Sequence, residues 1–150
     1  MIDRRNSSGG YAVPALSLGL AAVFFYASVD KIRDPLQFAD SITAFGILPA
    51  PLISLLALSL PLFEAGCGLL LIWPPTRRIG ALAVGLISIV FFTALLSALA
   101  RGLTLDCGCF GAGAPSRPRM WLELGLNVVL FAGSVLILQR SSIDLAARAG

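Results

Sequence analysis

Two cysteines one residue apart, Cys107 and Cys109, are the residues of this sequence best suited to covalent chemistry. They lie in the glycine-rich stretch TLDCGCFGAG, residues 104–113. A disulfide across a single intervening residue requires a bend, for which Gly108 has the necessary backbone freedom. Because strain makes a disulfide easier to reduce, such a bond suits exchange with another protein better than permanent cross-linking. The pair therefore predicts a redox function for this loop.

Three other interpretations of the cysteine pair stay open at this point. The two thiols could be incidental, could form a static disulfide, or could bind a metal ion. A structural zinc site takes four ligands, commonly Cys or His, whereas the sequence has three cysteines and no histidine. We therefore predict no metal site. We expect Arg101, Arg117 and Arg119 to favour the thiolate form, and Asp106 to oppose it.

A second candidate site is an acidic residue within an apolar segment. Glu64 lies in LPLFEAGCGLL, near the middle of a stretch long enough to cross a membrane. An ionisable residue at that depth is costly and is a functional-site candidate. Lys31 is a candidate partner if its aliphatic stem reaches inward, and Pro61 can kink the helix and open a polar gap. The alternatives are a polar clamp between helices, a proton relay for thiol chemistry, and a contact to a quinone headgroup.

Three further residues accompany these candidates. Cys67 lies at i+3 from Glu64, and we interpret it as a small buried apolar residue, with a role as a third thiol as the alternative. Glu123 lies about one turn into the last apolar segment, and Asn127 follows at i+4 on the same face. We expect Glu123 and Asn127 to line a shallow polar cavity under the cysteine loop, with an ordinary interfacial acid as the alternative.

The composition predicts the elements that hold these residues. Of the 150 residues, 57% are hydrophobic and 13% are charged, whereas a soluble domain averages about 25% charged residues. Four apolar runs are long enough for a helix to cross the hydrocarbon core, and a spanning segment must be helical to satisfy its backbone. The sequence therefore predicts an all-α integral membrane four-helix bundle. The runs cover about residues 11–29, 48–73, 79–100 and 120–138.

The chain is expected to form one membrane domain with a short tail at each end. Between the first two spans, residues 30–47 are long enough for a short amphipathic helix at the membrane interface. Pro35 can start this helix and Gly46 can end it. The expected boundaries are a polar N-terminal tail at 1–10, the membrane domain at 11–140 and a C-terminal tail at 141–150.

The basic residues are divided almost evenly between the two ends of the predicted bundle. Six lie on the side of the termini and five on the opposite side. The tight turn at Arg77 and Arg78 favours a cytoplasmic position for the termini of a protein in the inner or plasma membrane. The cysteine loop is then expected outside the cytoplasm, where disulfides persist. No basic stripe with interleaved aromatic residues is present in the sequence, so nucleic-acid binding is not predicted.

With these residues in view, the sequence resembles the MauE-type family of methylamine utilisation membrane proteins, which is similar to the DoxX-like four-helix group. The resemblance rests on DKIRDPLQF after the first run, LPLFEAGCGLLL in the second and DCGCFG between the third and fourth. It implies a factor that assists maturation of methylamine dehydrogenase, whose small subunit is rich in disulfides. It also implies that Cys107 and Cys109 are the redox pair, with Lys31 and Glu64 as supporting polar residues. In that family the last helix often opens with a basic residue near an aromatic one, whereas this sequence has Trp-Leu-Glu at 121–123.

Together these observations predict a membrane thiol–disulfide redox or maturation factor. Its cysteine pair would exchange disulfides with a thioredoxin-like protein or an exported client such as an amine dehydrogenase subunit. The other expected partners are the lipid bilayer and further copies of the chain. No cofactor is evident, and a quinone is the candidate electron acceptor. The alternatives are a non-enzymatic assembly factor whose loop disulfide is structural, and a small-molecule carrier built around Glu64.

Overall fold

In a computed structural model, the chain forms a bundle of long apolar helices with one short helix between the first two spans. The structure describes residues 7–105 and 116–149, and it describes side chains for residues 11–105 and 116–141. The helices of this described part are α1 (Ser7–Arg33), α2 (Pro35–Ala44), α3 (Ala50–Ile72), α4 (Arg77–Ala100) and α5 (Arg117–Ala149).

Four of these helices are long and apolar enough to cross a membrane, which confirms the predicted all-α membrane bundle. Large apolar side chains such as Leu62, Leu86 and Val129 are exposed on the outside of the bundle, as expected for contact with lipid. At the two ends, α1 begins at Ser7 and α5 runs to Ala149, so helix continues into both expected tails. The candidate spans are Tyr11–Arg33, Ala50–Ile72, Arg77–Ala100 and Arg117–Ser141.

The short helix predicted between the first two spans is present as α2. Pro35 is its first residue, and the Asp34 side chain accepts a hydrogen bond from the Gln37 backbone N–H at 3.0 Å. After the helix, Gly46 has a φ of +62°, a left-handed conformation that glycine adopts without steric cost. α2 packs against α3, and its Phe38 is buried. This short helix is therefore part of the bundle as well as an interfacial element.

Small residues allow the spans to approach closely. α1 packs mainly on α3, and α4 packs mainly on α5. A Cβ atom on Gly80 would lie 2.9 Å from the backbone nitrogen of Leu71, and one on Gly85 would lie 2.8 Å from Ser134 Oγ. These two glycines therefore let α4 contact α3 and α5 closely. Gly125, by contrast, has nothing within 4 Å of its Cβ position.

Two buried apolar clusters are separated by a polar layer. Along α4 and α5, the buried Ser88 and Asn127 lie between the clusters. The first cluster lies toward the end of the bundle where α3 ends and α4 begins, and it comprises Leu20, Ala21, Phe24, Cys67, Leu71, Ala81, Val84, Leu130 and Ile137. The second, termed the loop-end cluster, lies where α4 ends and α5 begins, and it comprises Leu95, Ala98, Leu105, Met120 and Leu124.

Candidate functional site

Lys31 and Glu64 form a buried ion pair between α1 and α3. Lys31 Nζ donates hydrogen bonds to both carboxylate oxygens of Glu64, at 2.9 Å to Oε1 and 2.8 Å to Oε2. Lys31 is 2% exposed and Glu64 is 3% exposed. An isolated charge in such a position is strongly destabilising. Each residue is tolerated here because the opposite charge of the other compensates it. The partner that the sequence suggested for Glu64 is the partner found.

A second hydrogen bond joins the same two helix faces. Ser28 Oγ donates to the carbonyl oxygen of Pro61 at 2.7 Å. Ser28 lies three residues before Lys31, and Pro61 lies three residues before Glu64, so one face of each helix supplies both contacts. Pro61 lacks an N–H and removes one bond from the ladder of α3. α3 nonetheless continues through Pro61 as helix, and at this point it is bonded to α1.

Two aromatic rings lie beside the Lys31 ammonium group. Nζ is 5.3 Å from the centroid of the Phe38 ring and 5.7 Å from that of Phe91. Both distances fall within the range of a cation–π interaction. Because Phe38 comes from α2 and Phe91 from α4, residues of four helices meet at this pair. The sequence analysis did not identify either ring, since phenylalanine in an apolar run is the ordinary composition of a span.

The second acidic residue, Glu123, lines the same cavity as Glu64. This cavity has a volume of about 30 Å³, lies between α1, α3, α4 and α5, and is also bordered by Ser88 and Asn127. Glu123 is 2% exposed, and its Oε1 lies 3.6 Å from Nε of Arg119 one turn earlier. Glu123 and Asn127 therefore line a common cavity, but most of its lining residues are apolar and it reaches Glu64. Its other lining residues are Val23, Phe24, Ala27, Ile87, Phe91 and Leu130.

Cys67 is a buried free thiol one turn along α3 from Glu64. It is 2% exposed and belongs to the first apolar cluster. It packs there with apolar neighbours such as Leu71 and Phe24. This environment agrees with its interpretation as a small buried apolar residue.

The cysteine pair predicted from the sequence lies outside the described residues. The description stops at Leu105, two residues before Cys107, and resumes at Ser116, seven residues after Cys109. The pairing, exposure and surroundings of the two thiols therefore stay predictions. The redox function of the loop rests on the sequence alone.

The last described residue before the cysteine pair, Leu105, is packed against the bundle. Leu105 is buried, and its backbone N–H donates to the sulfur of Met120 at 3.4 Å. Both residues belong to the loop-end cluster, and Phe91 packs against that cluster. Phe91 thus contacts the loop-end cluster and also lies beside the Lys31 ammonium group.

The sequence of this chain is similar to those of a known protein family. Residues 10–140 match the family described as Methylamine utilisation protein MauE. The MauE protein of Paracoccus denitrificans is 35% identical over 124 residues, which cover 82% of this chain and 66% of that protein. The MauE protein of Methylophilus methylotrophus is 31% identical over 117 residues, covering 77% and 59%, and that of Methylorubrum extorquens is 33% identical over 105 residues, covering 69% and 56%. The chain thus spans about three fifths of the length of these curated relatives. No solved structure matches it significantly.

Proposed function

This chain belongs to the MauE family of methylamine utilisation proteins, and we propose that it is a membrane thiol–disulfide maturation factor. Cys107 and Cys109 exchange disulfides with a thioredoxin-like protein or with an exported client such as an amine dehydrogenase subunit. The observation that carries the proposal is the C-x-C motif on a segment whose first residues, ending at Leu105, pack onto the bundle. A cysteine pair next to a rigid base can present a sulfur to a partner protein in a defined position.

The proposed exchange starts from a Cys107–Cys109 disulfide and a client with two thiols. A client thiolate attacks one sulfur, which forms a mixed disulfide and releases the other cysteine as a thiolate. The second client thiolate attacks the mixed disulfide, so that the client is oxidised and the pair is reduced. A disulfide of the thioredoxin-like protein then reoxidises the pair by two equivalent exchanges. Two electrons and two protons pass from the client to that protein.

A quinone is the other electron acceptor expected from the sequence. We assign no step to a quinone, and the thioredoxin-like protein accepts the electrons in this proposal.

The proposed orientation puts both termini in the cytoplasm and the cysteine pair outside the inner membrane. It is supported by the two arginines in the tight turn between α3 and α4, on the side of the termini. Arg77 Nε donates to the carbonyl oxygen of Leu71 at 3.3 Å, so this basic side chain is held at the end of α3. In this orientation the compartment outside the inner membrane supplies oxidising partners to the loop.

Cysteine variants test the proposed exchange, because the chain offers a matched control. The Cys107→Ser and Cys109→Ser single variants and their double variant are compared with Cys67→Ser. This control changes the buried third cysteine. Cells are quenched in acid, free thiols are alkylated, and the products are separated without reductant. We expect one single variant to accumulate a mixed disulfide with a partner protein, and the double variant to leave the client reduced. Cys67→Ser should behave as wild type.

The same experiment separates the proposal from its main alternative. In a non-enzymatic assembly factor the loop disulfide only holds the shape of a docking surface. Such a disulfide resists mild reductant in the wild-type protein. The single variants, which lack it, trap no partner protein. Client disulfides that form normally in the Cys107→Ser, Cys109→Ser double variant would contradict thiol exchange.

A further inference from the structure

The two glutamates of the sequence, Glu64 and Glu123, lie on different helices and line one buried cavity. Each has a cation nearby. Lys31 Nζ lies 2.8 Å from Glu64 Oε2, and Arg119 Nε lies 3.6 Å from Glu123 Oε1. With all four groups ionised the cluster is neutral, so it can lie within a membrane span without net charge. The cavity thus has two ionisable side chains in a lining whose other members are mainly apolar.

Several hydrogen-bond donors at this cavity are directed to other atoms. Ser88 Oγ donates to the carbonyl oxygen of Val84 at 2.8 Å, and Asn127 Nδ2 donates to the carbonyl oxygen of Glu123 at 2.9 Å. The remaining capacity is mainly that of acceptors, namely the carboxylate oxygens of Glu64 and Glu123, the Ser88 oxygen and the Asn127 amide oxygen. These acceptors lie within a lining that is otherwise mainly apolar, and they favour a small molecule that donates hydrogen bonds.

We propose that this cavity binds water and that the water connects Glu64 to Glu123 as a path for proton exchange. Its volume of about 30 Å³ holds about two water molecules, and the site supplies the two to four polar partners that a buried water requires. A cavity lined only by apolar side chains stays dry. This inference does not depend on the cysteine chemistry of the proposed function.

The exchange begins when the Glu123 carboxylate takes up a proton from solvent water. The protonated Glu123 then gives its proton to a bridging water molecule while that water passes a proton to the Glu64 carboxylate. One O–H bond is lost at Glu123, one is gained at Glu64, and the water is regenerated. The charged or titratable groups facing these acids are Lys31 from α1, Cys67 on α3 and Arg119 from α5, while α4 gives the cavity only uncharged side chains and α2 contributes a phenyl ring beside Lys31.

Magnetic resonance of the full chain in lipid vesicles tests this inference directly. Labelling with carboxyl-¹³C glutamate gives two side-chain carboxyl signals, because the sequence has two glutamates. Glu64→Gln and Glu123→Gln assign them. We expect magnetisation from water to reach both carboxyl carbons, although both residues are buried. We also expect Glu123→Gln to slow the transfer from water to the Glu64 carboxyl carbon, because a glutamine side chain does not pass on a proton.

A cavity-filling variant with a matched control completes the test. Ala27→Val adds two methyl groups beside the cavity, and Ala22→Val adds the same groups at an exposed position on the same helix. Ala27→Val should slow the transfer from water to both carboxyl carbons several-fold, whereas Ala22→Val should leave it at the wild-type rate. Equal transfer in the two variants would overturn the inference. If Ala27→Val does not fold, the wild-type measurement decides, since carboxyl carbons that receive no magnetisation from water also overturn it.

Discussion

Lys31 in the last turn of α1 and Glu64 in the second half of α3 are joined by two hydrogen bonds of 2.9 and 2.8 Å, with both side chains almost fully buried. The pair is flanked by the rings of Phe38 and Phe91 and by the hydrogen bond from Ser28 to α3. Residues of four helices therefore pack around one charged contact. Changes at this contact should affect the whole bundle.

Removing one member of this pair should destabilise the protein strongly. Lys31→Met leaves the Glu64 carboxylate buried without its ammonium partner, and we expect the free energy of unfolding to fall by about 3–5 kcal/mol. The double variant Lys31→Met, Glu64→Leu should recover most of this loss, because an apolar pair of similar volume is often tolerated as well as an ion pair. Reversible unfolding in mixed micelles measures both. Losses that simply add in the double variant would contradict the coupling of the two side chains.

Two buried serines on α1 offer a matched comparison. Ser28 Oγ donates to α3, whereas Ser17 Oγ donates at 2.8 Å to the carbonyl oxygen of Val13 in its own helix. Ser28→Ala should lower the free energy of unfolding by about 0.5–1.5 kcal/mol, because an interhelical hydrogen bond is lost. Ser17→Ala should have a smaller effect, since no contact between helices changes. Equal losses from the two variants in the same unfolding assay would show that the Ser28 bond does not stabilise the bundle.

Two glycines in spans should respond in opposite directions to alanine. A Cβ on Gly80 would lie 2.9 Å from the backbone nitrogen of Leu71, whereas Gly125 has nothing within 4 Å. Gly80→Ala should therefore push α3 and α4 apart and cost about 1–3 kcal/mol. Gly125→Ala should raise stability by up to about 1 kcal/mol, since alanine favours the helix. Thermal unfolding of both variants in one detergent gives the comparison, and a Gly80→Ala protein as stable as wild type would refute the close contact.

Thiol labelling should distinguish the buried cysteine from the cysteine pair. Cys67 is 2% exposed, so the Cys107→Ser, Cys109→Ser variant should react with a membrane-impermeant maleimide only after denaturation. Wild-type protein in intact spheroplasts should gain two labels after mild reduction, because the proposed orientation puts the loop outside. Labels that appear only after lysis would put the loop in the cytoplasm and overturn that orientation.

The spans could be predicted from the sequence because their signal is local. An uninterrupted apolar run of about 20 residues can satisfy its backbone in a membrane only as a helix. The start of α2 was also readable, since Pro35 is favoured at the first helical position. The start of α1 and the end of α5 could not be predicted. Polar residues at the membrane surface can be helical or non-helical with little difference in free energy.

The ionisable residues show where prediction from sequence ended. The cost of a charge in lipid made Glu64 a candidate, and Lys31 was a possible partner for it at the end of the preceding span. The C-x-C pair was equally evident from residue type and spacing. What the sequence determined by itself was thus the helical class, the spans and the residues able to do chemistry.

Only the tertiary structure decided which of those residues meet. Sequence gives the depth of a residue along its helix, but not the rotation of each helix or the choice of neighbours. Because α1 packs on α3 and α4 on α5, Phe91 lies beside Lys31, and Glu123 turns toward the interior and shares a cavity with Glu64. These contacts depend on how small residues such as Gly80 and Gly85 let whole helices approach each other, and a pattern within one helix does not contain that information.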